Sequence, residues 1–273
     1  MPGFTTLAYT NKIRSPVQVA AQLQHPEIVR ELIRKQADLE YVSNKGWSLL
    51  HYLFAKPNPA SQELLYLLRG NDVSFDTVKD TSGWNALHRC AAWGRAEDIQ
   101  LMVKLFGAQR HLDEHTNTGL AAIHLAASMG NISTLATLIR CKDVEKPSKL
   151  LDLPDSSGWT PLHHSIRNRR VETMHWLIRQ GADHHVSTFP AADWFPEGFD
   201  DQVFLPKDVA KMEGKEMVKE YISALKEIRP DVTEYDDDIY WDSSESGMSS
   251  ESSDDGETPA ETALFQGRPV CVA

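Results

Sequence analysis

Gly158-Trp159-Thr160-Pro161-Leu162-His163 decides the fold, because the chain repeats the phrase three more times. It reads Gly46-Trp47-Ser48-Leu49-Leu50-His51, then Gly83-Trp84-Asn85-Ala86-Leu87-His88, then Gly119-Leu120-Ala121-Ala122-Ile123-His124. The histidines are spaced by 37, 36 and 39 residues. A period in that range is the mark of stacked repeats, so function is to be sought on an extended surface.

The unit from Asp155 to Asp183 is the clearest. Thr160 offers a hydroxyl to accept an orphan backbone N–H, and Pro161 follows where a helix needs no donor. A short helix is predicted through Ile166 and a second through Met174, Trp176, Leu177 and Ile178. Gly181 then supplies the left-handed residue that ends it. Two short helices cannot bury their apolar faces alone, so each unit must stack on its neighbours.

These units resemble the ankyrin repeat, whose signature is Thr-Pro-Leu-His, small residues, a glycine, and a closing Leu-Leu-x-x-Gly-Ala-Asp. Residues 160–163 and 177–183 match it closely. A second unit has Asn85 and Ala86 in the Thr-Pro positions, then Cys90-Ala91 and Gly94. Another keeps His124, Ala126-Ala127 and Gly130 but carries Ala121 where the hydroxyl stood, and a missing cap costs about 1 kcal/mol. Upstream, Ser15-Pro16-Val17-Gln18-Val19-Ala20-Ala21 fits the template with Gln18 in register with His51. Downstream, Leu205-Pro206-Lys207-Asp208-Val209-Ala210 and Gly214 read as a degenerate last unit. The resemblance implies an all-α ankyrin-repeat solenoid of stacked helix-turn-helix units with hairpin fingers over residues 1–230. The repeats are expected at 12–42, 43–79, 80–115, 116–154, 155–187 and 203–228, with an aromatic insertion at 186–204.

Charge is distributed unevenly. Lys and Arg total 28 against 39 acidic residues, yet residues 1–230 hold 27 of each sign. Between Asp231 and Glu257 there are 11 acidic residues and no Lys or Arg. A neutral array lacks the basic footprint of direct nucleic-acid binding. The Ser/Asp/Glu-rich segment 231–273 has too little apolar surface to offset ordering entropy and is expected to be a disordered acidic tail. Within it, Thr233 and Ser252 each precede an aspartate by three residues, which makes them candidate sites for acidophilic kinases.

Three scattered cysteines, Cys90, Cys141 and Cys271, make neither a disulfide framework nor a zinc motif. No apolar run is long enough to span a bilayer, and the opening residues lack a secretory pattern. The expectation is a monomer in the cytoplasm, the nucleus or both.

No Gly-x-Gly-x-x-Gly, phosphate loop, Gly-x-Ser-x-Gly or His-Glu-x-x-His occurs, so no catalytic residue and no cofactor is expected. His51, His88, His124 and His163 occupy one position in successive units and form a row, so no metal site is expected either. In the family this histidine bonds locally to hold hairpin and helix start. His184-His185, with His163, His164 and His175 nearby in sequence, invites only adventitious metal binding.

The residues after the signature glycine, Trp47, Trp84, Leu120 and Trp159, lie in ankyrin proteins on the inner face near the hairpin tips. The pair ending the first helix faces the same way: Ala92-Trp93, Ser128-Met129 and Arg167-Asn168. Trp, Met and Arg are enriched at interface centres, but a tryptophan row can equally pack adjacent hairpins. The leading expectation is a non-catalytic scaffold or adaptor gripping a protein partner along the concave, finger-side face of the four units that carry the phrase. An alternative follows from architectural resemblance to the inhibitors of kappa-B: repeats plus acidic tail masking a basic, transcription-factor-like partner. Their phosphodegron, Asp-Ser-Gly-x-x-Ser, is absent. A targeting subunit of an enzyme complex is the third possibility.

Overall fold

Helices come in antiparallel pairs joined by short turns. In the computed structural model, which describes residues 14–73, 78–142, 148–189 and 203–230, the first pair is α1 (Pro16–Gln22) and α2 (Pro26–Arg34). The second is α3 (Leu49–Leu53) and α4 (Ser61–Arg69), the third α5 (Ala86–Trp93) and α6 (Ala96–Phe106), the fourth α7 (Ala122–Met129) and α8 (Ile132–Cys141). A short α9 (Ser148–Leu151) precedes α10 (Pro161–Arg167) and α11 (Val171–Arg179), and α12 (Pro206–Glu213) pairs with α13 (Lys215–Ile228). No strand occurs among the described residues.

The first helices stack in one layer, α1 on α3, α5, α7, α10 and α12 in order, and the second helices form the layer behind. One buried apolar cluster runs from Val17 to Leu225. Small residues at the layer contacts, Ala21, Cys90, Ala91, Ala126, Ala127 and Ala210, are fully buried and let the helices approach. Cys90 acts as one of these small apolar residues, and burial pushes its thiol pKa well up.

The signature histidines hold unit to unit. Nδ1 of His51, His88, His124 and His163 accepts the backbone N–H of Ser48, Asn85, Ala121 and Thr160 at 3.0–3.2 Å. With Nδ1 accepting, the proton must sit on Nε2. That nitrogen donates to a carbonyl farther along the chain, 26 to 41 positions on, at or beside the next finger: Trp84, Glu114, Leu153 and Phe204 respectively. Burial drives the pKa of His51, His88 and His163 down to about 4 and of His124 to about 3. The rings are therefore neutral, as the bonding requires. Gln18 performs the same task with an amide: Oε1 accepts Ser15 N–H at 3.0 Å and Nε2 donates to Tyr41 O at 2.8 Å. Asp208 holds the position in the last unit, where Oδ2 accepts Leu205 N–H at 3.0 Å; an ionised carboxylate has nothing to donate onward.

This bonding adds to one expectation. Thr160 stands at the start of α10 in a capping box with His163, and its hydroxyl also lies 2.8 Å from Nδ1 of that ring. The ring nitrogen accepts the N–H of the residue before the helix, a bond that needs no hydroxyl and that Ala121 keeps at 3.0 Å. Gly181 does end the second helix in the left-handed region, at φ 87°.

Each hairpin finger is closed by two backbone bonds. In one, Asp80 N–H donates to Trp84 O and Gly83 N–H to Asp80 O, both at 2.8 Å; Ser43–Trp47, Thr116–Leu120 and Asp155–Trp159 repeat the pattern. Gly46 shows why glycine is needed: its φ is 76°, and a β-carbon there would meet Asp80 Cα of the next finger at 2.9 Å. Thr188 and Phe204 pair in a related way. Thr188 N–H donates to Phe204 O, and Phe204 N–H to Thr188 Oγ1, both at 2.9 Å. Sixteen positions separate these residues, where four separate Asp155 from Trp159. Phe204 thus takes the tryptophan position, its carbonyl accepting from Thr188 and His163, beside the expected aromatic insertion. Its residues 190–202 lie outside the described residues, as do 231–273.

Candidate partner-binding face

A second apolar cluster lies on the finger side of the first-helix layer, apart from the main core. Trp84, Ala92 and Leu125 are buried in it, with Trp93, Leu120 and Met129 packed around them and half-exposed. Trp84 and Trp93 stack with ring centroids 5.6 Å apart and planes at 28°. Next to it, Trp47 packs on Tyr52 at 4.9 Å and on Ala55.

Arg89 ties these aromatics together. Its side chain is 3 % exposed and its guanidinium pairs with Asp80 Oδ2 at 2.7 Å. The guanidinium carbon lies 3.6 Å from the Trp47 ring centroid, 5.4 Å from that of Trp84 and 5.8 Å from that of Trp93. A cation over aromatic faces is attracted by their quadrupoles, more strongly once water is excluded. Asp80 has a second task, since its Oδ1 accepts the N–H of Ser82 and Trp84, both at 2.9 Å. One carboxylate therefore shapes the finger and anchors the cation beneath it.

The other units fill the same two positions differently. Asp155 again accepts two finger N–H groups and pairs with His164 Nε2 at 2.9 Å, beside Trp159. Burial alone would raise the Asp155 carboxyl; the His164 hydrogen bond and charge, with the Trp159 and Ser157 N–H groups, hold it below its ordinary value. Ser43 and Tyr52, and Thr116 and Leu125, occupy these positions elsewhere, each hydroxyl accepting a finger N–H.

The residues anticipated as partner contacts fall into three groups. Trp47, Trp84, Trp159 and Ala92 are buried, each ring with at most 9 % of its surface free. Arg167, Ser128 and Asn168 are half-buried and serve the array itself. Arg167 pairs with Glu213 at 2.6 Å, the Ser128 carbonyl accepts from Arg170 Nε at 2.9 Å, and Asn168 Nδ2 donates to His164 O at 2.8 Å. Trp93, Leu120 and Met129 are the half-exposed apolar members, and the structure brings them into one patch. Thr233 and Ser252 lie outside the described residues. Sequence reading missed Arg89 and Asp80, although a nine-residue spacing linking Asp80 to Arg89 and Asp155 to His164 was there to be seen.

Among the described residues no three His, Cys, Asp or Glu side chains converge as metal ligands, and no helix is long and apolar enough to cross a membrane. The His184 and His185 rings lie 4.1 Å apart, tilted by 40°, the first half-buried and the second exposed.

Comparison with known proteins gives the same architecture. The family model for ankyrin repeats (three copies) matches residues 17–111 and 101–188. The human transient receptor potential cation channel subfamily A member 1 is 26 % identical over 172 residues, which cover 62 % of this chain and 15 % of the channel. The chicken nuclear factor NF-kappa-B p105 subunit is 24 % identical over 176 residues, covering 64 % of this chain and 17 % of that protein. The chain thus spans about a sixth of the length of these relatives. The crystal structure of EF0377, an ankyrin repeat protein, superposes with a TM-score of 0.57 at 17 % identity, covering 76 % of this chain and 96 % of that one.

Proposed function

The chain belongs to the ankyrin-repeat family, generally a non-catalytic protein-interaction module, and from that premise we propose that it is a scaffold or adaptor that grips one protein partner on its finger-side face. The observation that carries this is the second apolar cluster, whose Trp93, Leu120 and Met129 present a half-exposed patch over a rigid aromatic floor. Half-exposed Trp and Met at the centre of a patch are the side chains that dominate interface energies. Trp84 and Ala92 support the patch from beneath, Arg89 links it to Trp47, and Trp159 belongs to the main core. Ser128, Arg167 and Asn168 form the polar rim. In this reading the protein is a monomer of the cytoplasm or nucleus and performs no catalysis.

The test compares wild type with a Trp93→Ala, Leu120→Ser, Met129→Ala variant, first verified as folded by circular dichroism. Quantitative affinity purification of both from the same cells should recover at least one protein with the wild type that the variant loses. Identical recovery by both would overturn the proposal.

A second reading is favoured by the 11 acidic residues between Asp231 and Glu257: a regulator that masks a basic partner with repeats and tail together. The similarity to the NF-kappa-B p105 subunit keeps a transcription-factor-like partner within that reading. Affinity that falls with salt and with deletion of 231–257 supports it; indifference to both removes it. A targeting subunit would instead copurify with an enzyme in fixed proportion.

A further inference from the structure

The finger-side face changes character along its length. The fingers that close on Trp47, Trp84, Leu120 and Trp159, together with the first helices behind them, hold four carboxylates, all engaged. Asp80 pairs with Arg89, Asp155 with His164, Glu213 with Arg167 and Arg169, and Asp208 accepts the Leu205 N–H. The cations beside the Trp47 cluster meet only neutral groups among the described residues. Exposed Arg14 bonds the Gln22 amide at 2.6 Å and lies 5.7 Å from the Tyr52 ring centroid, and exposed Lys45 holds Nζ 5.6 Å from that of Trp47. Lys56, also exposed, follows His51 by the five positions at which Trp93 follows His88 and Met129 follows His124. The half-exposed apolar patch is thus flanked, toward the first unit, by positive charge.

The chain carries the complement of this face. Asp236-Asp237-Asp238-Ile239-Tyr240-Trp241-Asp242 sets three large apolar side chains among carboxylates, with Glu245 just beyond, and no Lys or Arg occurs from Asp231 to Glu257.

Reach and order also fit. α13 runs in the same direction as α11, since His175 and Arg179 meet Glu220 and Glu227 in sequence order. Burial, then His185, then the Arg229 charge lower the pKa of His184, which sets Arg229 near the turn after α11, at the finger end of the array. From there α5 lies three stacked helices back from α12, through α10 and α7, and packed helices are about 8–10 Å apart. The nine residues 231–239, extended, span about 30 Å, enough to bring Ile239 to the patch. Travelling this way the segment offers apolar side chains first and Asp242 and Glu245 next, the order in which the face offers its patch and then its cations.

We propose that residues 236–245 of the chain occupy this face, with Ile239-Tyr240-Trp241 on Trp93, Leu120 and Met129 and with Asp242 and Glu245 toward Lys45 and Lys56. The proposal rests on reading this face as the partner site, and it makes the segment an internal competitor of the partner. Aromatic side chains give large contact area at low entropic cost, and charge complementarity fixes the register.

Hydroxyl-radical footprinting of the full chain, resolved by residue with mass spectrometry, tests the occupancy. Tethering supplies an effective concentration on the order of 1 mM, so a contact of that affinity covers the face about half the time. Labelling of Trp93 and Met129 should therefore be about twofold slower in the wild type than in a Tyr240→Ser, Trp241→Ser variant. Lys45→Glu with Lys56→Glu, both at exposed positions, should release the same protection. Equal labelling in wild type and the Tyr240→Ser, Trp241→Ser variant overturns the proposal. Protection that grows with protein concentration also overturns it, by assigning the face to a second copy. Either result leaves the partner reading standing, because that reading falls only if the Trp93→Ala, Leu120→Ser, Met129→Ala variant recovers the same proteins as the wild type.

Discussion

The guanidinium of Arg89 lies 3.6 Å above the ring of Trp47, a residue of the preceding repeat. This contact crosses the boundary between units on the finger side, where the main apolar core does not reach. It joins the two aromatic clusters beneath the proposed partner face and gives Arg89 influence over a surface it does not itself form.

The Arg89–Asp80 pair predicts an asymmetric mutational response. Asp80→Ala strands a buried cation and two finger N–H groups, and should cost about 3–5 kcal/mol. The double replacement Arg89→Leu with Asp80→Thr copies the Leu125 and Thr116 pair of the next unit, and should cost less than Asp80→Ala alone. Urea denaturation of the single and double variants measures this, and a double variant no better than Asp80→Ala would show that the cation itself is required.

Gln18 foretells which replacements of a signature histidine are tolerated. His124→Gln retains an acceptor for Ala121 N–H and a donor for Leu153 O, and should cost under about 1 kcal/mol. His124→Leu leaves both groups buried and unpaired, and should cost about 2–4 kcal/mol. Thermal melts of the two variants separate the outcomes.

Acid should unfold the array through the same residues. Their pKa values are about 4, or about 3 for His124, in the folded chain, against 6.5 unfolded. Folding therefore excludes protons: the stability is fully present above pH 6.5 and is lost as pH falls toward 4. Each histidine contributes a slope of about 1.4 kcal/mol per pH unit in that window. Circular dichroism melts from pH 7 to pH 4 should show a steep decline, and the His124→Gln variant should show a shallower one.

Glu213 is a buried carboxylate held by Arg167 at 2.6 Å and Arg169 at 2.9 Å, so it fastens the last unit to the one before. Glu213→Ala should destabilise that joint by about 1–2 kcal/mol, because the two partly exposed arginines can return to water. Proteolysis should then cut first within residues 206–228, leaving the earlier repeats intact.

How far the sequence could be read depended on distance along the chain. The phrase exposed the stacking, the glycines and the Gln18 register, because those constraints act within one unit or recur at a fixed step. The candidate face was legible as residue types at known positions. What set its exposure was not legible: Arg167 turns to Glu213, 46 positions on, and Arg89 is held by rings from two units. An insertion at 186–204 was legible, but the pairing of Thr188 with Phe204 across sixteen positions was not, since no motif links them.

The signature histidines all donate in one direction, each toward the unit that follows. Asp208 breaks the series with an acceptor-only group. The array therefore has a sense, and at Asp208 an instruction to stop: a unit placed after α13 would find a negative charge where its carbonyl expects a proton. Asp208→His is the single change that would make this end chemically ready to grow.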